Sequence, residues 1–471
     1  VPLPLRARSL ALVAGLLLST SAARAQASGG PAALTPDARR AIVDSVARVL
    51  ERRYVDTTLA RRIGVRLREQ LAGRAYDAIT AAPDLATALM RDLQGVVADK
   101  HLRVTYEPER DFAVLGPAAR DASAPRMVMR PSPGAAAAGQ PAPAGSARGA
   151  WTRIDGREAS AIARTNFAFA RVERLPGNVG YIRLDQFVPL DLSRDTWVAA
   201  LAFLRHVDAL IVDVRDNVGG APDAVQFLLG HFVRERTLLF AAYNRAANQT
   251  FEHWAEREPA RPSFSGVDLY VVQDRNSAST AETIGYVTQQ HRLGTVVGDT
   301  TAGAGNGGTK VSVGAGIALF IPQFRIVTGP GFERTGVAPD VWAPSERAPE
   351  VAHRLALQRL AARPAEPAVA RERAFALELA SASARGAQRA DRPLESLAGA
   401  YGGRRFLVRD GALVHLSATG RSATLARADD LVFRSPTARY RFEVDGAGTP
   451  IAVQIEPLDG AAMREARAPA P

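Results

Sequence analysis

The stretch LYVVQDRNSASTAETIG, residues 269–285, decides the fold. Its first five residues are an apolar run of the kind buried in a parallel sheet, and a turn of Asp, Asn and Ser follows before a helical pattern begins. Ser279 stands three residues before Glu282, the spacing of a capping box in which a hydroxyl and a carboxylate satisfy amides at a helix start. Capping alone explains that spacing. A nucleophilic role for Ser279 needs further residues.

Working outward, ALIVDVR (209–215) is a second near-continuous apolar strand, followed by the turn DNVGG and a helix over 222–232. TVVG (295–298) reads as a third strand. Buried strands alternating with helices imply an α/β core, whose ligand sites lie beyond the carboxyl ends of the strands. Both DNVGG and NSAST sit at such ends. Glycine amides of the first turn and the Thr280 amide at the helix start can hold a developing oxyanion near Ser279, with Gly219 and Gly220 as the glycines concerned. Arg215 and Asn217 read as residues that hold the turn.

Before this core, Thr35-Pro36 opens a helix whose Ile42, Val46, Val49 and Leu50 share one face. Helical patterns follow over 59–71 and 85–97, and then Asp99-Lys100-His101 leads into the alternating LRVTY. His101 therefore stands at a helix-to-strand junction, with Asp99 placed to orient its ring. Residues 121–150 are rich in Ala, Pro and Gly and read as a linker, after which NVGYIRLDQF (178–187) is a strand. Beyond Trp342 comes a helical connector. From Leu394 onward, short strands separated by turns at Asp410-Gly411 and Asp445-Gly446 read as a small antiparallel β domain. The expected division is 1–25 leader, 26–110 helical domain, 111–176 linker and connecting strands, 177–345 core, 346–392 connector and 393–471 β domain.

Composition excludes several chemistries. The 471 residues contain no cysteine, which removes disulfides, thiol nucleophiles and cysteine-bound zinc. Only Lys100 and Lys310 are lysines among 59 basic residues, so a lysine base has two candidates. The net charge of +11 is scattered arginine without a basic run interleaved with aromatics, which argues against nucleic acid as a partner. At the start, Arg6 and Arg8, the apolar SLALVAGLLL and Ala23-Arg24-Ala25 form an export signal, with the apolar run well short of the ~20 residues that span a bilayer. The expectation is an exported, periplasmic or extracellular protein with no stable membrane insertion after cleavage.

Four motifs in order, IVDVRDNVGG, NSASTAE, VVGDTTAGAG and GVAPD, resemble the C-terminal processing (tail-specific) serine peptidases. The N-terminal helices with VVADKHLRVTY resemble the branch that includes interphotoreceptor retinoid-binding-protein-like members. This resemblance implies a ClpP/crotonase-like core with Ser279 as nucleophile and no metal or organic cofactor. It also exposes a departure, because the processing branch has a lysine base 25 positions after the serine and this chain has Ala304 there. Lys310, six residues further, is a displaced candidate. The tricorn-like branch instead pairs a histidine with a glutamate before GV-PD, which implies His101 as base and Glu333 as its support, with Glu282 and Asp99 supporting the turn and the ring. The other six histidines read as surface or packing residues, with His253 and His353 in connectors. Processing peptidases of this kind usually carry a PDZ domain, and the Ala/Pro-rich interval here has too little strand pattern for one. Two functions follow: a serine endopeptidase acting on protein or peptide substrates, or a non-catalytic binding protein for peptides or apolar ligands on the same scaffold. The oligomeric state is not readable.

Overall fold

A computed structural model describes residues 33–108, 156–257, 262–385 and 392–469. The leader (1–25) and the linker (121–150) expected from the sequence lie outside the described residues. Helix α1 (Pro36–Arg53) begins where Thr35 Oγ1 accepts the Ala38 amide, with proline at its first position. Asp56 caps α2 (Thr57–Ala72) through the Thr58 and Leu59 amides, and α3 (Ala82–Gln94) follows. Strand β1 (Arg103–Tyr106) and helix α4 (Gly156–Arg164) lead to the core strands β2 (Phe169–Leu175) and β3 (Val179–Leu184). The chain continues through α5 (Leu190–Phe203), β4 (Ala209–Asp213), α6 (Pro222–Gly230), the hairpin β5 (Thr237–Asn244) and β6 (Gln249–Ala255), then β7 (Asp268–Gln273). Helix α7 (Thr280–Gln290), strands β8 (Gly294–Gly298), β9 (Gly308–Gly314), β10 (Ile317–Pro322), β11 (Phe324–Ile326) and β12 (Val341–Trp342), and helices α8 (Ala348–Ala361) and α9 (Pro367–Arg385) complete this part.

The central sheet has the order β12-β8-β7-β4-β3-β2, parallel except for β2. Val212, Val271 and Val296 stand in register across β4, β7 and β8, and every residue of β4 is buried. Such strands need cover on both faces. Trp197 of α5, Leu228 of α6 and Ile284 of α7 pack on one face, while Ala352 and Leu357 of α8 pack with Tyr181, Ile211 and Tyr270 on the other.

Two further arrangements position the site. Strand β1 pairs antiparallel with β10, which pairs with β9. The N-terminal helices therefore share an apolar cluster with this sheet, in which Leu50, Ile63 and Leu89 pack with Leu319 and Ile321. The segment 99–101, between α3 and β1, is thereby carried onto the loops of the central sheet. A three-stranded sheet β11-β5-β6 lies beside it.

The expected C-terminal antiparallel β structure is present, with strands β13 (Gly399–Tyr401), β14 (Arg404–Arg409), β15 (Ala412–Leu416), β16 (Ser422–Arg427), β17 (Val432–Arg434), β18 (Ala438–Val444), β19 (Pro450–Pro457) and β20 (Met463–Ala466). Each pairs with the next. The ring closes where Tyr401 bridges Arg467, with the Gly402 amide donating to Ala466 O at 3.0 Å and the Ala468 amide to Ala400 O at 2.9 Å. Closure removes the edge strands. Tyr401, Phe406, Phe433 and Phe442 form its interior. Arg434 and Glu378 join this barrel to α9. Among the described residues, no helix is long and apolar enough to cross a membrane.

Candidate active site

Ser279 is the N-cap of α7 and adopts φ 58° and ψ −120°, a left-handed backbone rare for a residue with a Cβ. The turn is held by its neighbours. Ser277 is fully buried, its hydroxyl donates to Val214 O at 2.7 Å, and it accepts the Asp274 amide. Glu282 makes its half of the expected capping box, accepting the Ser279 amide on Oε2 at 2.8 Å, while the Ser279 side chain makes no cap hydrogen bond.

Glu282 does more than cap. Its 0% exposed carboxylate also accepts the Thr301 hydroxyl at 2.6 Å and the Gly303 and Ala304 amides at 2.7 and 2.8 Å. Burial pushes its pKa up, against these hydrogen bonds, which pull it down. The Ala302 amide donates to Ser277 O at 3.0 Å. One buried carboxylate thus fastens the loop 301–304 to the serine turn.

The glycine turn after β4 meets the same serine. A Cβ added to Gly219 would lie 2.7 Å from Ser279 Cβ and 3.0 Å from the Thr280 amide nitrogen. Thr280 Oγ1 donates to Gly220 O at 2.7 Å. Gly220 bridges Phe187 through Gly219 O and the Ala221 amide, a pattern that leaves the Gly220 amide outside the ladder. The three proposed oxyanion donors are not equivalent, because the Gly219 amide donates to Asn217 Oδ1 at 2.8 Å. Of the three, the Gly219 amide is thus the one already taken by a side-chain acceptor. Asn217 also donates to Leu184 O, and Arg215 binds Asp213 and Ser345 O, so both hold the turn.

His101, in the segment between α3 and β1, meets the far end of the loop that Glu282 holds. Asp99 Oδ1 accepts the His101 amide at 2.8 Å and the Leu102 amide at 3.2 Å, and Asp99 Oδ2 accepts the Tyr54 hydroxyl at 2.8 Å. Asp99 therefore shapes the backbone under His101 and acts on the ring through its charge. The ring stacks on Phe320 at 5.7 Å, has its Nδ1 buried without a partner among the described residues, and interacts with the Asn306 backbone. Burial lowers its pKa and favours the neutral imidazole, with Asp99 opposing. Lys100 Nζ donates to Ala302 O.

Glu333 Oε2 accepts the Gly305 and Asn306 amides, each at 2.8 Å. Burial, with the charge of Asp99 adding to it, pushes its pKa up to about 7. Glu282 of the serine turn, the His101 ring and Glu333 therefore all meet one loop, 301–306. Position 304, where the processing branch has its lysine, is a buried alanine. Lys310 is in β9, paired with Glu107 at 2.6 Å. His253 corrects the connector reading: it lies in β6, buried and stacked on Phe240 at 4.2 Å. The sequence reading missed Tyr54, whose contact with Asp99 is 45 residues away and has no local signal.

Residues 178–343 match the family model described as Peptidase family S41, and residues 35–137 match that of the N-terminal domain of Peptidase_S41 in eukaryotic IRBP. The carboxyl-terminal-processing protease of Synechocystis sp. is 27% identical over 168 residues, 35% of this chain and 38% of that protein. The carboxy-terminal processing protease CtpB of Bacillus subtilis is 26% identical over 179 residues, 37% of this chain and 36% of that protein. The chain thus spans less than two-fifths of the length of these curated relatives. Among solved structures, the photosystem II D1 C-terminal processing protease aligns with a TM-score of 0.39 and 17% identity, over 65% of this chain and 93% of that one. Over residues 178–343 the α/β core is therefore similar to peptidase family S41 and to the processing proteases.

Proposed function

We propose that the protein is a serine endopeptidase with a ClpP/crotonase-like core and a Ser279–His101 pair in place of a serine–lysine dyad. Ser279 Oγ attacks the peptide carbonyl while the neutral His101 imidazole takes its proton, then returns it to the leaving amine. Water activated by the same ring releases the acyl group. The Gly220 and Thr280 amides receive the oxyanion, assisted by the positive end of α7. Glu333 keeps residues 305 and 306 against His101, as Glu282 keeps residues 301–304 against Ser279. An exported location goes with this reading through the leader-like start of the chain.

The observation that carries the proposal is that loop 301–306 is held by Glu282 of the strained serine turn and by Glu333, and meets a half-buried His101 whose pKa burial lowers. Ala304 favours a second reading, a binding protein that keeps the scaffold without turnover. Digestion of casein or a peptide library separates them. Purified wild type should cleave, and Ser279→Ala and His101→Ala should each lose about a thousandfold or more in rate. Equal residual cleavage by all three proteins leaves the binder.

A further inference from the structure

A cavity of about 670 Å³ opens beside Glu333. Its walls come from three places: residues 54–57 at the start of α2, Tyr243, Arg245 and Arg325 of the small sheet and its edge, and the loops holding Gly305–Asn306 and Glu333–Arg334. It therefore begins where the loop met by Glu282, His101 and Glu333 ends. A volume of this size is typical of ligand sites and takes a short peptide segment.

The lining is unbalanced in charge. Arg245 donates to the Tyr54 and Glu51 backbone carbonyls, so its positive charge is held in place without being neutralised. Arg325 lies 5.7 Å from the Tyr243 ring centroid, and Arg334 is fixed through its amide on Gly303 O at 2.8 Å; both side chains are exposed. No ion pair joins these three arginines to a carboxylate among the described residues. Against them stand Asp56, occupied in capping α2, and Glu333, occupied with two amides. Guanidinium groups mounted on an aromatic face and on a loop next to a reaction centre match one ligand chemistry, the carboxylate, which they bind through paired N–H donors.

We propose that this cavity is a specificity site that receives a carboxylate of the peptide substrate against Arg325 and Arg334, either the free carboxyl terminus or an Asp or Glu side chain. The proposal rests on the peptidase reading for the word substrate, and the carboxylate site itself can be tested without turnover. It would let the chain select carboxylate-bearing segments through the core itself.

The test is fluorescence anisotropy with full-length Ser279→Ala protein and three labelled peptides of one length: neutral with an amidated terminus, the same with a free carboxyl terminus, and amidated with two internal Glu residues. At least one carboxylate-bearing peptide should bind about tenfold or more tightly than the neutral one, a typical margin for a charge-assisted contact. Adding Arg325→Gln and Arg334→Gln should abolish that margin with the far-UV spectrum and thermal midpoint unchanged. The tighter of the two carboxylate peptides identifies the source. Equal binding of all three peptides, or a margin that survives both substitutions, overturns the proposal. Casein cleavage by wild type, measured in parallel, separates the two readings: cleavage without a carboxylate preference sinks only the carboxylate site, and a preference without cleavage sinks only the peptidase.

Discussion

Burial acts on Glu333 and His101 with opposite sign. It raises the Glu333 carboxyl from its ordinary 4.5 to about 7, so the folded chain holds this proton more tightly than the unfolded one. The stabilisation is full below about pH 4.5 and is lost as the pH rises through about 7. Glu333→Gln should therefore flatten this part of the stability profile, read as thermal midpoints between those two pH values. An unchanged slope would assign it to other groups. For His101, burial lowers the pKa from 6.5, so the folded state favours the neutral ring and loses that contribution as the pH falls. In the Glu333→Gln variant, which lacks the glutamate's titration, the acid limb of kcat/KM should lie below pH 6.5. A limb near about pH 8 would point away from imidazole as the base.

At the scale of elements, the site depends on two turns meeting at the carboxyl ends of β4 and β7. Gly220, at φ 136°, allows that approach because a Cβ there would lie 2.0 Å from Phe187 O. Gly220→Ala should cost about 2 kcal/mol or more in urea unfolding and most of the peptidase activity, since its amide would have to move. Gly446→Ala, where an added Cβ meets nothing within 4 Å, is the matched control and should be close to neutral. What was legible in sequence follows from the range of the interactions. The capping spacing of Ser279 and Glu282 is local, as are the apolar runs of β4 and β7, and each could be read without the rest. The Phe187–Gly220 bridge, the four-way use of Glu282 and the contact of Tyr54 with Asp99 join distant parts of the chain through side-chain reach that periodicity does not encode.

For the whole molecule, the barrel of residues 399–467 has an interior separate from that of the α/β core, centred on Phe406, Phe433 and Phe442. Phe406→Ala should destabilise it by about 3–5 kcal/mol. Calorimetry of the full chain should show one transition moved to lower temperature, while peptidase activity at 25 °C stays near wild type. A single transition that moves as a unit would show that the barrel and core unfold together. The alternation of short strands and turns made antiparallel pairing readable. Closure was not, because it rests on backbone bonds between Gly402 and Ala466 and between Ala468 and Ala400, at opposite ends of the barrel sequence. The cavity beside Glu333 was hidden for the same reason, being assembled from α2, the small sheet and two loops.

The proposed chemistry makes Ser279 an activated nucleophile whose base is His101. Its most direct measurement is labelling of the full-length protein with a fluorophosphonate, followed by mass spectrometry of the peptide containing Ser279. One covalent adduct is expected at Ser279, lost in Ser279→Ala and strongly slowed in His101→Ala. Absence of an adduct on the folded wild type, or labelling at the same rate after removal of His101, would contradict it.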